Sequence, residues 1–230
     1  MVSNFIKNGS TYVDNSKTFE SLNAQKRQFC DFTVKNLFSF WSERGHSHRP
    51  GHGGKDSGAI GINTILEKDV VLNIAKEILK LNQSLFDNEL DIYLTRYNDT
   101  LISLSDRGRL AESLNADVFV SLHCNASQNF SKGTEVYVHN SDSTNSKESI
   151  ALGVSVLNES TQKLGFKKRG VKFANFQVLR ETTDFCPAIL VETGFLTNSD
   201  EADYFLKPKN IKAIALTILI GIINYLNAEL

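Results

Sequence analysis

The chain has 230 residues, with a hydrophobic fraction of 41% and a charged fraction of 22%, which is typical of a globular protein with one sizeable core. Its 25 lysines and arginines nearly balance its 26 aspartates and glutamates, so the formal net charge is -1. This balance argues against a partner held mainly by bulk charge, such as nucleic acid or an anionic membrane surface.

Three cysteines, Cys30, Cys124 and Cys186, cannot all pair within one chain, and they form no C-x-x-C motif. A disulfide scaffold and an all-cysteine zinc site are therefore both disfavoured. The N-terminus lacks the charged-then-apolar layout of a secretory signal. The longest apolar stretch, residues 211–226, is shorter than the roughly 20 apolar residues that span a bilayer. We expect no membrane span and see no export signal.

The N-terminal part of the chain differs in pattern from the rest. Residues 1–48 sustain neither helical nor strand periodicity, and the aromatic-rich stretch 29–41 is compatible with either. From residue 49 onward the pattern becomes regular. We therefore predict an atypical N-terminal segment, residues 1–48, followed by one domain, residues 49–230.

After a glycine-rich loop at residues 51–61, helical and strand patterns alternate along the domain. Apolar residues at helical spacing predict helices at residues 66–78, 101–114, 146–164 and 209–227. Short β-forming runs predict strands at residues 90–94, 116–122, 133–139, 176–179 and 188–191. Ser199 is predicted to cap a short acidic helix. This alternation predicts an α/β domain with a mainly parallel, twisted sheet flanked by helices.

Four side chains that could carry chemistry lie where elements of such a sheet begin or end. His52 is in the glycine-rich loop, Glu67 opens the first helix, and His123 and Glu192 follow two predicted buried strands. Sites in open α/β sheets form beyond the carboxyl ends of the strands. Two histidines and a carboxylate are a common ligand set of catalytic zinc, and a further carboxylate can then serve as the base.

Each of these residues also has a simpler explanation. A single histidine after a strand is usually a hydrogen-bonded or surface residue, and Glu67 could merely complement the positive end of its helix. The glycines around His52 could mark a phosphate-binding turn, although neither G-x-x-x-x-G-K-[ST] nor G-x-G-x-x-G is present. Considered one at a time, the simpler explanations are preferable.

Considered together, the residues lie in four motifs: GHGGKDSGA at 51–59, LEKD at 66–69, SLHCNA at 121–126 and VETGFLTN at 191–198. In this order they resemble the metal and catalytic motifs of the zinc-dependent N-acetylmuramoyl-L-alanine amidases of the amidase 3 family. Connecting stretches are similar as well, at residues 94–107, 133–137, 169–171 and 178–180. The resemblance extends from about residue 51 to the C-terminus.

The resemblance implies that His52, Glu67 and His123 bind Zn2+ and that Glu192 is the general base. It implies that residues 49–230 are a catalytic domain that hydrolyses the amide bond between N-acetylmuramoyl residues and L-alanine in peptidoglycan. The expected partner is peptidoglycan, and neither nucleic acid nor a membrane span is expected. The expected protein is a bacterial monomer that acts at the cell wall, in the periplasm or outside the cell, by an export route that the sequence does not reveal.

One departure from the family pattern lies just before His52. The family enters its first motif from an apolar strand that ends in aspartate, whereas here Arg49 stands in that place and no convincing strand precedes it. Either the region is a genuine variant in which residues 38–41 replace that strand poorly, or residues 1–48 are foreign to the domain, which is the preferred interpretation. His46 and His48 could be additional metal ligands but are interpreted as part of a polar tail. The alternative functions are a non-catalytic peptidoglycan-binding relative with a disabled site, or a metal-dependent peptidase or deacetylase.

Overall fold

The computed structural model describes residues 5–7, 10–12 and 36–39 by their backbone, and residues 52–128 and 131–228 with their side chains. The strands in this part of the chain are β1 (Phe5–Lys7), β2 (Ser10–Tyr12), β3 (Asn36–Ser39), β4 (Ile92–Leu94), β5 (Val118–Asn125), β6 (Thr134–Val138), β7 (Lys168–Phe173) and β8 (Ala188–Phe195). The helices are α1 (Glu67–Leu85), α2 (Leu104–Ser113), α3 (Ser146–Leu164), α4 (Gln177–Arg180), α5 (Ser199–Phe205) and α6 (Pro208–Asn227), with a 3-10 turn at Ile62–Thr64.

These strands form one sheet in the order β2-β1-β4-β3-β5-β8-β6-β7. The central strands β4, β3, β5 and β8 run parallel, and β6 and β7 run parallel to each other but antiparallel to β8. β1 pairs antiparallel with both β2 and β4. The predicted α/β fold, with a mainly parallel sheet flanked by helices, is thereby confirmed.

Helices cover both faces of the central strands. Val120 and Leu122 of β5 pack into the larger core with α1, α3 and α6, while Phe119 packs on the opposite face with α2 and α4. All eight residues of β5 are buried. A strand covered on both faces needs apolar residues at almost every position, which is why its sequence shows a continuous apolar run without alternation.

Helix α6 is buried against α1 and α3 in the larger core. Its length and composition would also allow it to cross a membrane, because its most apolar stretch of 18 residues has a mean hydropathy of 1.4. The core helix of a soluble protein can have the same length and composition, and 56% of this stretch is buried inside the protein. Packing against α1 and α3 thus covers about half of this stretch.

The predicted strand at residues 176–179 is wrong, because these residues begin the short helix α4. The amides of Arg180 and Glu181 donate to the carbonyls of Phe176 and Gln177, which is the helical pattern. Val178 and Leu179 are both fully buried. Adjacent buried residues also occur in a strand that is covered on both faces, so the hydrogen-bond pattern and not the burial identifies this helix.

The cap of α5 also differs from its prediction. Asn198, and not Ser199, is the N-cap residue, because its Oδ1 accepts hydrogen bonds from the amides of Asp200 and Glu201 at 3.1 and 3.2 Å. Asparagine and serine are about equally good caps, so the sequence alone did not distinguish them.

Four strands were not predicted: β1, β2, β3 and β7. The edge strand β7 is only partly buried, so its sequence, KRGVKF, needs no alternation of apolar residues. Gly170, with a φ of 98°, also interrupts the strand. β3 lies between β4 and β5, where Asn36–Ser39 pair with Val118 to Ser121. A strand thus does precede the glycine-rich loop in the chain, contrary to expectation. Arg49, His46 and His48 lie outside the described residues, as does Cys30, whereas Cys124 and Cys186 are free and buried.

Candidate metal centre

His52 is held in the glycine-rich loop, with 4% of its surface exposed. Its Nδ1 lies 2.8 Å from Asp56 Oδ1, and its Nε2 lies 3.3 Å from Glu67 Oε2. Neither ring nitrogen meets hydrogen-bond geometry with any residue of the described chain. Burial lowers the pKa of His52, but the carboxylates of Glu67 and Asp56 outweigh burial and raise it above its usual value.

Glu67 is the first residue of α1 and is fully buried. Its Oε2 accepts a hydrogen bond from the amide of Ala59 at 2.8 Å, and its Oε1 accepts one from the amide of Cys124 at 3.1 Å. Burial alone would raise the pKa of Glu67, but the hydrogen bond with His123 and the close contact with His52 hold it below its usual value. The carboxylate is therefore ionised and fixed between the loop and β5.

His123 lies within β5 rather than beyond it, because the strand continues to Asn125. Its Nδ1 lies 2.8 Å from Glu67 Oε1, and its Nε2 lies 3.1 Å from Ser121 Oγ. Burial lowers the pKa of His123 to about 4, against the opposing effect of Glu67. A neutral imidazole, as expected at neutral pH, is the form that binds a metal ion.

These three side chains form a compact, buried group of metal-binding type. One donor atom from each of His52, Glu67 and His123 can be chosen so that all lie within 4.8 Å of one another. Each histidine directs one nitrogen toward Glu67 and the other toward an oxygen of Asp56 or Ser121. Such outer contacts orient histidine ligands in metal sites. The buried His52 nitrogens, which lack hydrogen-bond geometry, fit a metal ion that would occupy the centre.

Glu192 stands beside this group on the neighbouring strand. It lies within β8, where its register partner across the parallel pair is His123 of β5. Adjacent strands are about 4.8 Å apart, and register partners project from the same face of a sheet. Glu192 is half-buried, whereas the three potential ligands are buried. The structure thus brings together all four residues that the sequence singled out, and their roles remain predictions.

The glycine-rich loop is anchored by polar contacts with α1 and with the segment after β4. Asp99 accepts a hydrogen bond from the amide of Gly54 at 2.6 Å and one from Lys68 Nζ at 2.7 Å. Lys68 Nζ also donates to the carbonyl of Gly54 at 3.0 Å. These contacts fix the loop that carries His52.

The sequence did not identify Asp56 and Ser121 as part of the centre. Asp56 lies in the first motif, four residues after His52, and Ser121 lies two residues before His123 on the same strand face. The period-two pattern of a strand could have suggested Ser121. The loop offers no periodicity from which the contact of Asp56 could be read.

Replacing Asp56 by alanine should weaken zinc binding by about 10- to 100-fold, because His52 would lose the carboxylate that orients its ring. Asp56 contacts His52 and also accepts a hydrogen bond from the amide of Gly58, at 3.1 Å. Asp56→Asn keeps an oxygen for the amide of Gly58 and removes only the negative charge beside His52. Zinc dissociation constants measured by competition with a chromogenic chelator test this prediction. Asp203→Ala, at an exposed position of α5, is the control for the lost charge. An unchanged zinc affinity in Asp56→Ala would show that Asp56 does not orient His52.

The comparison with known proteins agrees with this geometry. A family model described as N-acetylmuramoyl-L-alanine amidase, of the amidase 3 type, matches residues 49–224. The chain belongs to the amidase 3 family. The match includes all four motifs and therefore His52, Glu67, His123 and Glu192.

Relatives of known sequence or structure support the assignment to the amidase 3 family. The endolysin of Bacillus phage SPP1 is 39% identical over 181 residues, which are 78% of this chain and 65% of the endolysin. The N-acetylmuramoyl-L-alanine amidase LytC of Bacillus subtilis (strain 168) is 43% identical over 156 residues, which are 66% of this chain and 29% of LytC. Both matches span less than two thirds of the relative's own length.

A solved structure shows the same domain. The catalytic domain of CwlV, an N-acetylmuramoyl-L-alanine amidase from Bacillus (Paenibacillus) polymyxa var. colistinus, is similar with a TM-score of 0.71 and 34% sequence identity. The similarity covers 86% of this chain and 100% of that domain. The fold described above is therefore that of an amidase 3 catalytic domain.

Proposed function

We propose that this chain is a zinc-dependent N-acetylmuramoyl-L-alanine amidase, with His52, Glu67 and His123 as zinc ligands and Glu192 as the general base. The observation that carries the proposal is the convergence of three buried donor groups within 4.8 Å of one another, beside Glu192. Two histidines and one carboxylate match catalytic zinc sites, which leave a coordination position open. The proposed catalytic domain is residues 49–230, and β3 of the preceding segment contributes a strand to its sheet between β4 and β5.

The residues of the chain divide the chemical work. A zinc ion held there would polarise the amide carbonyl and make an attacking water more acidic. The Glu192 carboxylate takes a proton from that water and later delivers it to the departing alanine nitrogen. The carbon–nitrogen bond breaks, so that the muramoyl side becomes a carboxylic acid and the peptide gains a free amino terminus. Asp56 and Ser121 hold the two imidazoles in position.

The substrate and the place of action follow from the family. The relatives are an endolysin and amidases named for the N-acetylmuramoyl-L-alanine bond, so we propose peptidoglycan as the partner and the bacterial cell wall as the place of action. Because all four functional residues come from one chain, we propose that a monomer is sufficient for catalysis.

Digestion of purified peptidoglycan by the protein tests the proposal. We expect new amino-terminal L-alanine, no new sugar amines, loss of activity with a zinc chelator, and recovery when zinc is added back. Zinc content should be near one ion per chain. New amino termini of other residues would indicate a peptidase, and new sugar amines would indicate a deacetylase. Binding to peptidoglycan without release of amino groups would support the non-catalytic alternative.

A further inference from the structure

A second polar cluster lies on the same sheet, centred on Glu135 of β6. Its carboxylate is 1% exposed and accepts hydrogen bonds from four side chains. Asn125 Nδ2 and Tyr137 Oη donate to Oε1 at 2.8 and 2.9 Å, and Arg169 Nε donates to Oε2 at 2.6 Å. Lys172 Nζ also donates to Oε2. Glu135 is thus a buried anchor for two basic side chains of β7.

The charges in this cluster do not cancel. Arg169 and Lys172 contribute two positive charges, and Glu135 contributes one negative charge. Burial would raise the pKa of Glu135, but hydrogen bonds from Lys172 and Arg169 outweigh burial and keep this pKa below its usual value. The two cations remain accessible, with 25% of the Arg169 side chain and 38% of the Lys172 side chain exposed. Among these three side chains, one positive charge is therefore left over, on the side of Glu135 away from the Glu192 carboxylate of β8.

Aromatic rings hold both cations in place. The Arg169 guanidinium lies 4.9 Å from the centre of the Phe195 ring, and the Lys172 ammonium lies 5.7 Å from the centre of the Tyr137 ring. Such contacts favour a cation over an aromatic face. The two groups are therefore preorganised, which lowers the entropy cost of binding an anion.

The strand register places this cluster in line with the proposed centre. Glu192 of β8 pairs with Glu135 of β6 on one side and with His123 of β5 on the other. Opposite Glu135, a bulge in the pairing of β6 with β7 accommodates Arg169. With strands about 4.8 Å apart, the backbone of β7 lies about 10 Å from that of β8.

We propose that Arg169 and Lys172 form a subsite for the free α-carboxylate of the second residue of the peptidoglycan stem peptide. The proposal rests on the proposed amidase function. The stem peptide carries carboxylates, whereas the N-acetylated sugar next to the scissile bond offers none, so a cationic subsite belongs to the peptide side. In this proposal the peptide crosses the strands from Glu192 toward β7. An extended peptide advances about 3.3 Å per residue, so its second residue falls between Glu192 and the cations.

The test measures binding of a pair of tripeptides that differ in one group. Both contain L-alanine, a γ-linked second residue and an L-lysine that carries a fluorophore on its side chain and a C-terminal amide. The second residue is D-glutamate in one peptide and D-isoglutamine, with its α-carboxylate amidated, in the other. Fluorescence anisotropy should show that the unmodified protein binds the carboxylate peptide about tenfold more tightly, as one charge-assisted contact at a half-exposed site predicts.

Two variants assign that preference to the subsite. Lys172→Met should weaken binding of the carboxylate peptide alone and reduce the preference to less than about threefold, because Glu135 keeps its three other donors. Arg169→Gln should act in the same direction. Lys168→Met is the matched control on β7, since Lys168 is exposed and donates to Asn158 on α3, and it should leave the preference unchanged. Thermal denaturation of each variant checks that it is folded.

Equal binding of the two peptides by the unmodified protein, or no binding of either, would overturn the subsite. An equal loss for both peptides in Lys172→Met would also overturn it, since that result indicates a purely structural role. Neither peptide contains the bond that the proposed amidase cleaves. Failure of the proposed function would therefore appear separately, as the absence of new amino-terminal L-alanine in the digestion of peptidoglycan.

Discussion

Replacing Glu192 by glutamine should reduce hydrolysis of peptidoglycan by about 10²- to 10⁴-fold, which is the usual contribution of a general base. Glutamine keeps the size of the side chain on β8 but cannot accept the proton of the attacking water. Zinc content should stay near that of the unmodified protein, because Glu192 is not one of the three clustered donors. Release of amino-terminal L-alanine and metal analysis of the same preparation measure both effects.

The matched comparison is His123→Ala, which removes one of the three donors and should lose both zinc and activity. Its imidazole is fully buried, with Nδ1 2.8 Å from Glu67 Oε1, so its removal leaves only two of the three clustered donors. If Glu192→Gln kept its activity, Glu192 would not be the base. If it lost its zinc instead, Glu192 would belong to the metal site.

Replacing Gly58 by alanine should weaken zinc binding and lower activity by about 100-fold, because both depend on the placement of two ligands. A Cβ at Gly58 would lie 2.6 Å from Glu67 Oε2 and 2.7 Å from His52 Cδ2, distances that force both side chains to move. The residue also has a φ of 67°, which costs about 1 kcal/mol for alanine. Chelator competition for zinc and initial rates on peptidoglycan measure the two losses.

Gly165→Ala separates backbone strain from displacement of the ligands. Gly165 ends α3 with a φ of 72°, but a Cβ there would meet no atom within 4 Å. In the metal-free protein, Gly165→Ala should lower the free energy of unfolding, measured with denaturant, by about 1 kcal/mol and keep its zinc affinity. Gly58→Ala should lose at least as much, because its Cβ also displaces two side chains, and it should lose zinc affinity as well. Normal zinc binding by Gly58→Ala would mean that the loop adapts and that the ligand geometry is not fixed at this position.

Much of the fold could be predicted because its helices and central strands bury strongly patterned faces. The apolar spacing of α1 and the continuous apolar run of β5 follow directly from the surfaces that they cover. α4 was mistaken for a strand because four residues are too few to show a helical period. β7 was missed because an edge strand with one covered face and a central Gly170 carries little pattern.

The residues proposed as ligands and base could be predicted from the sequence, whereas the residues that contact them could not. His123 and Glu192 come from neighbouring buried strands, so the rule that places sites at the carboxyl ends of strands was enough to bring them together. The contacts of Asp56, Ser121 and Glu135 depend on loop conformation and strand register. Neither property can be read from local sequence, and these residues emerged only from the structure.

β7 lies at the end of the sheet, apart from the strands that carry the proposed catalytic residues. The proposed ligands and base lie on the loop, on α1 and on central strands that are packed on both faces, where a substitution disturbs the core. Arg169 and Lys172 lie on the outermost strand, where both side chains are partly exposed. The residues proposed to select the stem peptide can therefore diverge, in evolution or in a directed library, while the residues proposed to break the bond stay constant.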